Sequence, residues 1–242
     1  MPDKRKITVI SLIVSALLLW VTLVFAGQAA TVTHLSGPLA VSSSDGTIIA
    51  VLIGSKINEG DTVITEKRTY ARLKFDDGSE VILKPGSQFK VEKFSFDQEK
   101  PSNDATALRL IKGGLRTVTG QIGKRGNQES YRMNTPTATI GIRGTIYDVQ
   151  YCQDDSCGSV RTGLYLTVTD GNVIVTNIAG VPTSLQVKAG QYVYVQSPLT
   201  PPMVLPTRPN IPFNPPPSMS GSASENNNSA GKSAGATDCQ VR

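Results

Sequence analysis

The sequence predicts an all-β protein, and three observations carry that prediction. Helical periodicity is almost absent between Thr31 and Gln196. Short runs rich in Val, Ile, Thr, Tyr and Phe alternate with Gly, Asn, Asp and Pro, the punctuation of strands and turns. Two dipeptides, Asp77-Gly78 and Asp170-Gly171, each sit between alternating apolar runs, the hairpin signature of a turn that needs positive φ. The expected architecture is a single domain of stacked short β-hairpins, an irregular β-solenoid or a sandwich-like fold.

The first 29 residues stand apart from that domain. Lys4-Arg5-Lys6 is a basic start, Ile7–Phe25 is apolar apart from Ser11, Ser15 and Thr22, and Ala26-Gly-Gln-Ala-Ala30 supplies small residues. Basic, apolar and small-residue regions in that order describe a secretory signal peptide, with cleavage after Ala26 or Ala29. The apolar run also reaches the lower limit of a membrane span, so an uncleaved signal anchor stays open. Either way the rest of the chain is expected to be exported, to the periplasm or anchored to the inner membrane facing it. No Cys near the cleavage region provides a lipid anchor.

Within residues 30–196 the expected strands are 30–35, 39–43, 62–65, 71–75, 80–83, 89–96, 107–111, 115–119, 131–133, 137–142, 145–151, 163–169, 172–176, 185–189 and 192–195. A loose internal repeat runs through them, two apolar residues spaced by one and then a glycine. It occurs at Leu73/Phe75/Gly78, Val81/Leu83/Gly86, Leu108/Leu110/Gly113, Leu166/Val168/Gly171 and Leu185/Val187/Gly190. Apolar side chains two apart share a strand face, and the glycine then lets the chain turn. Asp97–Asp104 and Gln121–Gln128 read as polar surface loops.

From Ser197 the composition changes. Nine of the fifteen prolines lie between Pro198 and Pro217, followed by Ser, Gly, Ala and Asn. Polyproline-II and then flexible coil are expected over 197–242, a disordered tail unable to bury a core.

Net charge is +5, of which Lys4, Arg5 and Lys6 against Asp3 supply +2. The remainder is spread out, and the Lys112/Arg116 and Lys124/Arg125 clusters read as solvated surface rather than a nucleic-acid footprint. Cys152 and Cys157 enclose the polar turn Gln-Asp-Asp-Ser, so a disulfide is expected in an oxidising compartment. A metal site lacks further ligands nearby, the single histidine being His34. Cys239 is left as a free thiol or an intermolecular partner.

Catalytic patterns do not emerge. Asp76-Asp77 and Asp154-Asp155 fall in turns, where Asp bonds its own backbone. No Gly-x-Ser-x-Gly elbow, Walker loop, dinucleotide fingerprint, EF-hand or zinc cluster is present. The chain reads as a non-enzyme without a cofactor. Arg143, set between Gly141 and Gly144, stands out. One reading is a buried guanidinium tying down strand carbonyls with Asp148 as partner. The other is a contact residue at a bulge.

Three blocks together resemble the FecR protein domain. The first is Gly54-Ser-Lys-Ile-Asn-Glu-Gly-Asp-Thr-Val-Ile-Thr65, containing Gly60, Asp61 and Thr65. The second is Ala71-Arg-Leu-Lys-Phe-Asp-Asp-Gly-Ser-Glu-Val-Ile-Leu83, with Asp77, Gly78 and Ser79. The third is Thr135-Pro-Thr-Ala-Thr-Ile-Gly-Ile-Arg-Gly-Thr-Ile-Tyr-Asp-Val149, with Thr135, Pro136, Arg143, Gly144 and Thr145. Full-length FecR regulators are inner-membrane proteins. A cytoplasmic segment controls an extracytoplasmic-function sigma factor, and a periplasmic part receives a signal from a TonB-dependent transporter. Here six residues precede the apolar segment, so the resemblance implies a free-standing exported FecR-domain protein without the sigma-regulating half. It implies a binding or signal-transduction module of the envelope, whose partner is an envelope protein or cell-wall component. The alternative is a cell-envelope scaffold extended by the Pro-rich tail.

Overall fold

The computed structural model describes residues 27–125 and 128–220, so the N-terminal apolar segment, Cys239 and the end of the tail lie outside the described residues. Fifteen strands form one hydrogen-bonded, almost entirely antiparallel sheet. They are β1 (Gln28–Leu35), β2 (Leu39–Ser42), β3 (Ile48–Val51), β4 (Lys56–Asn58), β5 (Thr62–Thr65), β6 (Ala71–Phe75), β7 (Glu80–Leu83) and β8 (Gln88–Ser95). After these come β9 (Ala105–Val118), β10 (Tyr131–Asn134), β11 (Ala138–Cys152), β12 (Gly163–Asn177), β13 (Ser184–Lys188), β14 (Tyr192–Val195) and β15 (Met203–Leu205). The exception to antiparallel pairing is β9 beside β10.

The three long strands explain the shape. In β9 the buried side chains are even-numbered up to Leu110 and odd-numbered from Leu115. In β11 burial passes from Ile140 and Ile142 to Tyr147 and Val149, and in β12 from Leu166 and Val168 to Val173 and Val175. A strand alternates faces with a period of two, so a parity change means an extra residue at a bulge. Each change occurs at a glycine of positive φ, Gly113, Gly144 and Gly171. A Cβ on Gly171 would lie 2.2 Å from the Gly144 carbonyl oxygen, so these two corners touch through bare backbone.

The pairing partners switch at the same places. Residues 105–112 of β9 pair with β8, and residues 115–118 pair with β7. The β11–β12 ladder carries β13 beside its 172–176 end and β14 beside its 164–167 end. The sheet therefore folds over on itself at a seam of glycine corners. One layer, here layer A, runs β4-β1-β6-β7, then the second halves of β9 and β11, the first half of β12, β14 and β15. Layer B runs β3-β2-β5-β8, then the first halves of β9 and β11 flanking β10, the second half of β12, and β13.

Between the layers lies one continuous core containing Leu73, Phe75, Phe89, Leu108, Leu110, Leu115, Ile140 and Val149, among others. Phe75 of layer A and Phe94 of layer B meet with ring centroids 5.3 Å apart. The hydroxyls of Tyr131 (layer B) and Tyr147 (layer A) are 2.9 Å apart in the interior. Loss of solvent around the phenols pushes Tyr147 up to about 12 and raises Tyr131 as well. The all-β expectation holds, and of the three architectures it allowed, the folded sheet is closest to the sandwich.

Several expectations are corrected. Asp170-Gly171 is no hairpin turn, because β12 runs unbroken from Gly163 to Asn177 and the glycine is its bulge. The expected pair 107–111/115–119 is likewise two halves of one strand, whereas 137–142 and 145–151 meet as expected at a bulge, within the single strand β11. Asp77-Gly78 does turn β6 into β7, with Gly78 N–H donating to the Phe75 carbonyl at 3.0 Å. All five repeat glycines have positive φ, yet only Gly78, Gly86 and Gly190 end strands. Local sequence specifies the backbone conformation at these positions but not whether the chain reverses there.

The proline-rich segment adds to the body. β15 pairs with β14, and the chain then crosses the outer face of layer A. Leu205 and Ile211 pack on an outer cluster of Cys152, Tyr165 and Tyr194. Phe213 lies under the Arg116 guanidinium, 4.3 Å from its ring centroid, and meets Tyr70 edge-on at 6.3 Å. Met219, in the single helical turn α1 (Pro217–Ser220), is buried. Prolines at 206, 209, 212 and 215 recur every three residues, the period of polyproline II, so one ridge of the strap repeats each turn. The strap is a third, thin layer.

Candidate functional site

The signature residues divide into two sets. The first stitches the fold at the seam. Asp77 is 2% exposed and its Oδ1 accepts from Ser79 N–H at 3.0 Å and from Ser79 Oγ at 2.5 Å. Its Oδ2 accepts from Ile122 N–H at 3.3 Å, and its carbonyl from Gln121 N–H at 2.9 Å. Residues 119–123 then reach the corner, where Thr145 N–H donates to Thr119 Oγ1 at 2.7 Å and Gly144 N–H to the Gly123 carbonyl at 2.8 Å. The turn at 77–79 and the corner at 143–145 are thus joined through one loop, and Asp77 acts there as a local hydrogen-bond acceptor.

Three other signature residues close turns elsewhere. Thr65 Oγ1 donates to the Lys84 carbonyl at 2.7 Å and accepts from Ser87 N–H at 2.8 Å, and Ser87 Oγ donates on to the Gly114 carbonyl at 2.8 Å. Asp61 Oδ2 caps the turn at Gly60 by accepting from Asn58 N–H at 2.8 Å. Thr135 Oγ1 donates to the Ala138 carbonyl at 2.7 Å and accepts its N–H at 3.0 Å, closing the β10–β11 turn at Pro136. The expected disulfide joins Cys152 to Cys157 beyond the end of β11.

Arg143 belongs to the second set, and here the buried reading is overturned. Its side chain is exposed, and among the described residues it makes no salt bridge. Asp148, its expected partner, instead holds Arg116 through two hydrogen bonds of 2.6 and 2.9 Å. The cause is the bulge. It leaves Ile142 facing inward and Thr145 facing inward, so the intervening arginine projects from layer B.

Around Arg143 is an open cleft of about 160 Å³ lined by Gly141, Ile142, Asn172, Ile174 and Gln186. Pairing registers place it in two rows. Arg143 stands opposite Asn172, which stands opposite Lys188; Arg132 stands opposite Gly141, then Ile174, then Gln186. Arg132 and Lys188 are exposed, as their alternation with the buried Tyr131, Met133 and Val187 requires. Gly141 has open space where a side chain would stand. The patch therefore offers three cations, two amides and an apolar floor of Ile174, which is 44% exposed. Asp170 lies close by at the β12 bulge. This surface suits a carboxylate-bearing partner.

Sequence reading singled out Arg143 but missed Arg132, Lys188, Asn172 and Gln186, which four strands bring together. The clusters it noted are occupied otherwise. Arg125 binds Asp104 at 3.2 Å and covers Phe96 at 4.7 Å, and Arg116 is held by Asp148. No group of three or more His, Cys, Asp or Glu among the described residues is placed to hold a metal ion. No helix among them is long and apolar enough to cross a membrane.

The family model described as FecR protein matches residues 61–174, a span holding both the stitched seam and Arg143. Two crystal structures of a candidate anti-sigma factor from Parabacteroides distasonis are similar at 12% identity and a TM-score of 0.43, covering 60% of this chain and 58% of that protein. A cell surface anchoring domain is similar over 26% of this chain and 82% of its own length, at 27% identity and a TM-score of 0.25. No curated protein matches the chain.

Proposed function

We infer that this chain, which carries a FecR domain over residues 61–174, is a non-catalytic binding or signal-transduction module of the cell envelope, exported and facing the periplasm. FecR domains are regulatory, and the reading rests on one observation. The signature arginine, Arg143, makes no side-chain salt bridge among the described residues and stands exposed in a cleft with Arg132 and Lys188 nearby. Residues that only hold the fold together, such as Asp77 and Thr135, are buried with their partners. The partner is a protein of the envelope that presents an acidic segment, its carboxylates taken by Arg143 and its neighbours and its backbone by Asn172 and Gln186. The alternative of a scaffold extended by the tail is less favoured, because packing onto layer A takes up residues 203–213.

The test is photocrosslinking in intact cells from a benzoylphenylalanine at Gln186. One discrete adduct is expected, lost when Arg143→Glu is added and retained when residues 221–242 are deleted. An adduct indifferent to Arg143→Glu, or none, overturns the docking role. Loss on deleting 221–242 alone restores the scaffold reading.

A further inference from the structure

Between layer A and the strap, one group of polar side chains is left unpaired. Just past β7, Lys84 N–H donates to the Gly114 carbonyl at 2.8 Å, and Gly114 stands opposite Gln150. Leu83, Leu115 and Val149 face the core, so Lys84, Gly114 and Gln150 form a row on the outer face. Gly114 brings no side chain, and Gln150 leans into the gap: a Cβ on Gly114 would lie 2.3 Å from Gln150 Oε1. Tyr70 and the strap residues Asn210, Ile211 and Pro212 join Lys84 and Gln150 in lining an open cleft of about 360 Å³.

Neighbouring polar groups on this face have partners. The Tyr165 and Tyr194 hydroxyls donate to the Arg161 and Thr162 carbonyls at 2.9 and 2.6 Å, and Asp148 gives both carboxylate oxygens to Arg116. Inside the cleft the pattern reverses. Among the described residues, the Lys84 amine and the Gln150 and Asn210 carboxamides make no hydrogen bond or salt bridge, and Gln150 Oε1 is buried without a partner. Burial lowers Lys84 to about 8, with Asp148 opposing the shift, so at neutral pH the amine is charged and lacks an adjacent carboxylate. These groups select the ligand. An ammonium calls for an anion, and a carboxamide both donates and accepts, which matches a peptide group. A phosphate would meet the amine but offer no N–H to the carboxamide oxygens. We propose that the cleft takes the C-terminal carboxylate of a short peptide. Lys84 holds the carboxylate, Gln150 and Asn210 hold the last peptide group, and the terminal side chain lies against Tyr70, Ile211 and Pro212. The site is on the opposite outer face from Arg143 and does not depend on the docking role given to that residue.

The test is an NMR titration of the full chain, labelled with nitrogen-15, against N-acetyl-alanyl-alanine. Saturable shifts are expected at the amides of Gly114, Gln150 and Ile211. Affinity should fall on the order of 10-fold or more when the probe ends in an amide, and equally in Lys84→Met. Asn210→Ala, at an exposed strap position, should weaken binding at an unchanged thermal midpoint. Tighter binding of the D,D form of the probe supports a cell-wall peptide as the source, and tighter binding of the L,L form supports a protein terminus. Shifts that never saturate overturn the proposal, as does an amide probe that binds as well as the acid. Saturable shifts at Arg143 and Gln186 that Lys84→Met leaves intact overturn it too. Inorganic phosphate saturating Gly114 and Gln150 as readily as the peptide overturns it in favour of a simple anion site.

Discussion

The two outer faces of the folded sheet differ, although the same long strands build both. Layer A's outer face is covered: Arg72 and Ile82, which point away from the core, are only 8% and 3% exposed. Its charges are matched internally, Arg72 with Glu80 at 3.2 Å and Arg116 with Asp148, and the strap lies across Arg116. Layer B's outer face is bare. Glu92 there is shared by Arg109 and Asn134, while Arg132, Arg143 and Lys188 gather at the seam and β3 stands open at the far edge. The lesson is that one face of this domain is used for stability and the other is left available, with the glycine corners deciding which residue goes to which.

The largest expected effect lies at the seam that separates the faces. Gly171→Ala adds a Cβ 2.2 Å from the Gly144 carbonyl, at φ 77°, and should cost about 3 kcal/mol or more. Thermal and urea unfolding measure it, and a loss below 1 kcal/mol would mean that the corners yield easily.

Next is the strap. Phe213→Ala removes the contacts with Arg116 and Tyr70 and should cost about 1–2 kcal/mol. Limited proteolysis should then cut earliest within residues 206–216. Equal resistance would show that the strap is held elsewhere.

Third is a pH effect beneath the strap. Burial lowers Lys84 to about 8 from 10.5, with Asp148 opposing the shift. Below pH 8 the amine is charged in both states, and the folded chain bears the full cost of burying it. Between about 8 and 10.5 the unfolded chain holds the extra proton, so this lysine makes stability rise with pH. Lys84→Met should remove that slope, worth about 1–3 kcal/mol after allowance for partial solvent contact. A wild-type and variant pair with parallel stability–pH curves would count against a buried amine.

The smallest effect on folding is expected on the bare face. Arg143→Ala should shift stability by less than about 0.5 kcal/mol while abolishing the photocrosslink from Gln186. A destabilisation of 2 kcal/mol or more would return Arg143 to the structural set.

Much of layer B's wiring was hidden from the sequence for a definite reason. Strand character follows from residues that are neighbours in the chain, so β6, β7, β11 and β14 are legible in Ala71–Phe75, Glu80–Leu83, Thr137–Tyr151 and Tyr192–Val195. Whether Gly113 and Gly171 turn the chain or kink a strand depends on which partners the flanking residues find. Both outcomes need the same positive φ, and the signal Asp-Gly cannot separate them. The strap was misjudged similarly: Pro-rich composition excludes a core strand, but side chains such as Phe213 and Met219 can still cover a face that another part of the chain provides. β3 escaped notice because Ile48–Ile53 shows no alternation, being exposed on both faces.

By itself, the sequence determined the all-β class, the five positive-φ glycines of its repeat, the Cys152–Cys157 bond and the resemblance to the FecR family. Each depends on local conformational preference or on close spacing along the chain. Only the tertiary structure decided that the sheet folds over, that Asp77 is buried while Arg143 is exposed, and that Arg132 and Lys188 join it. Those are outcomes of register and bulge position, where one extra residue sends every later side chain to the opposite face.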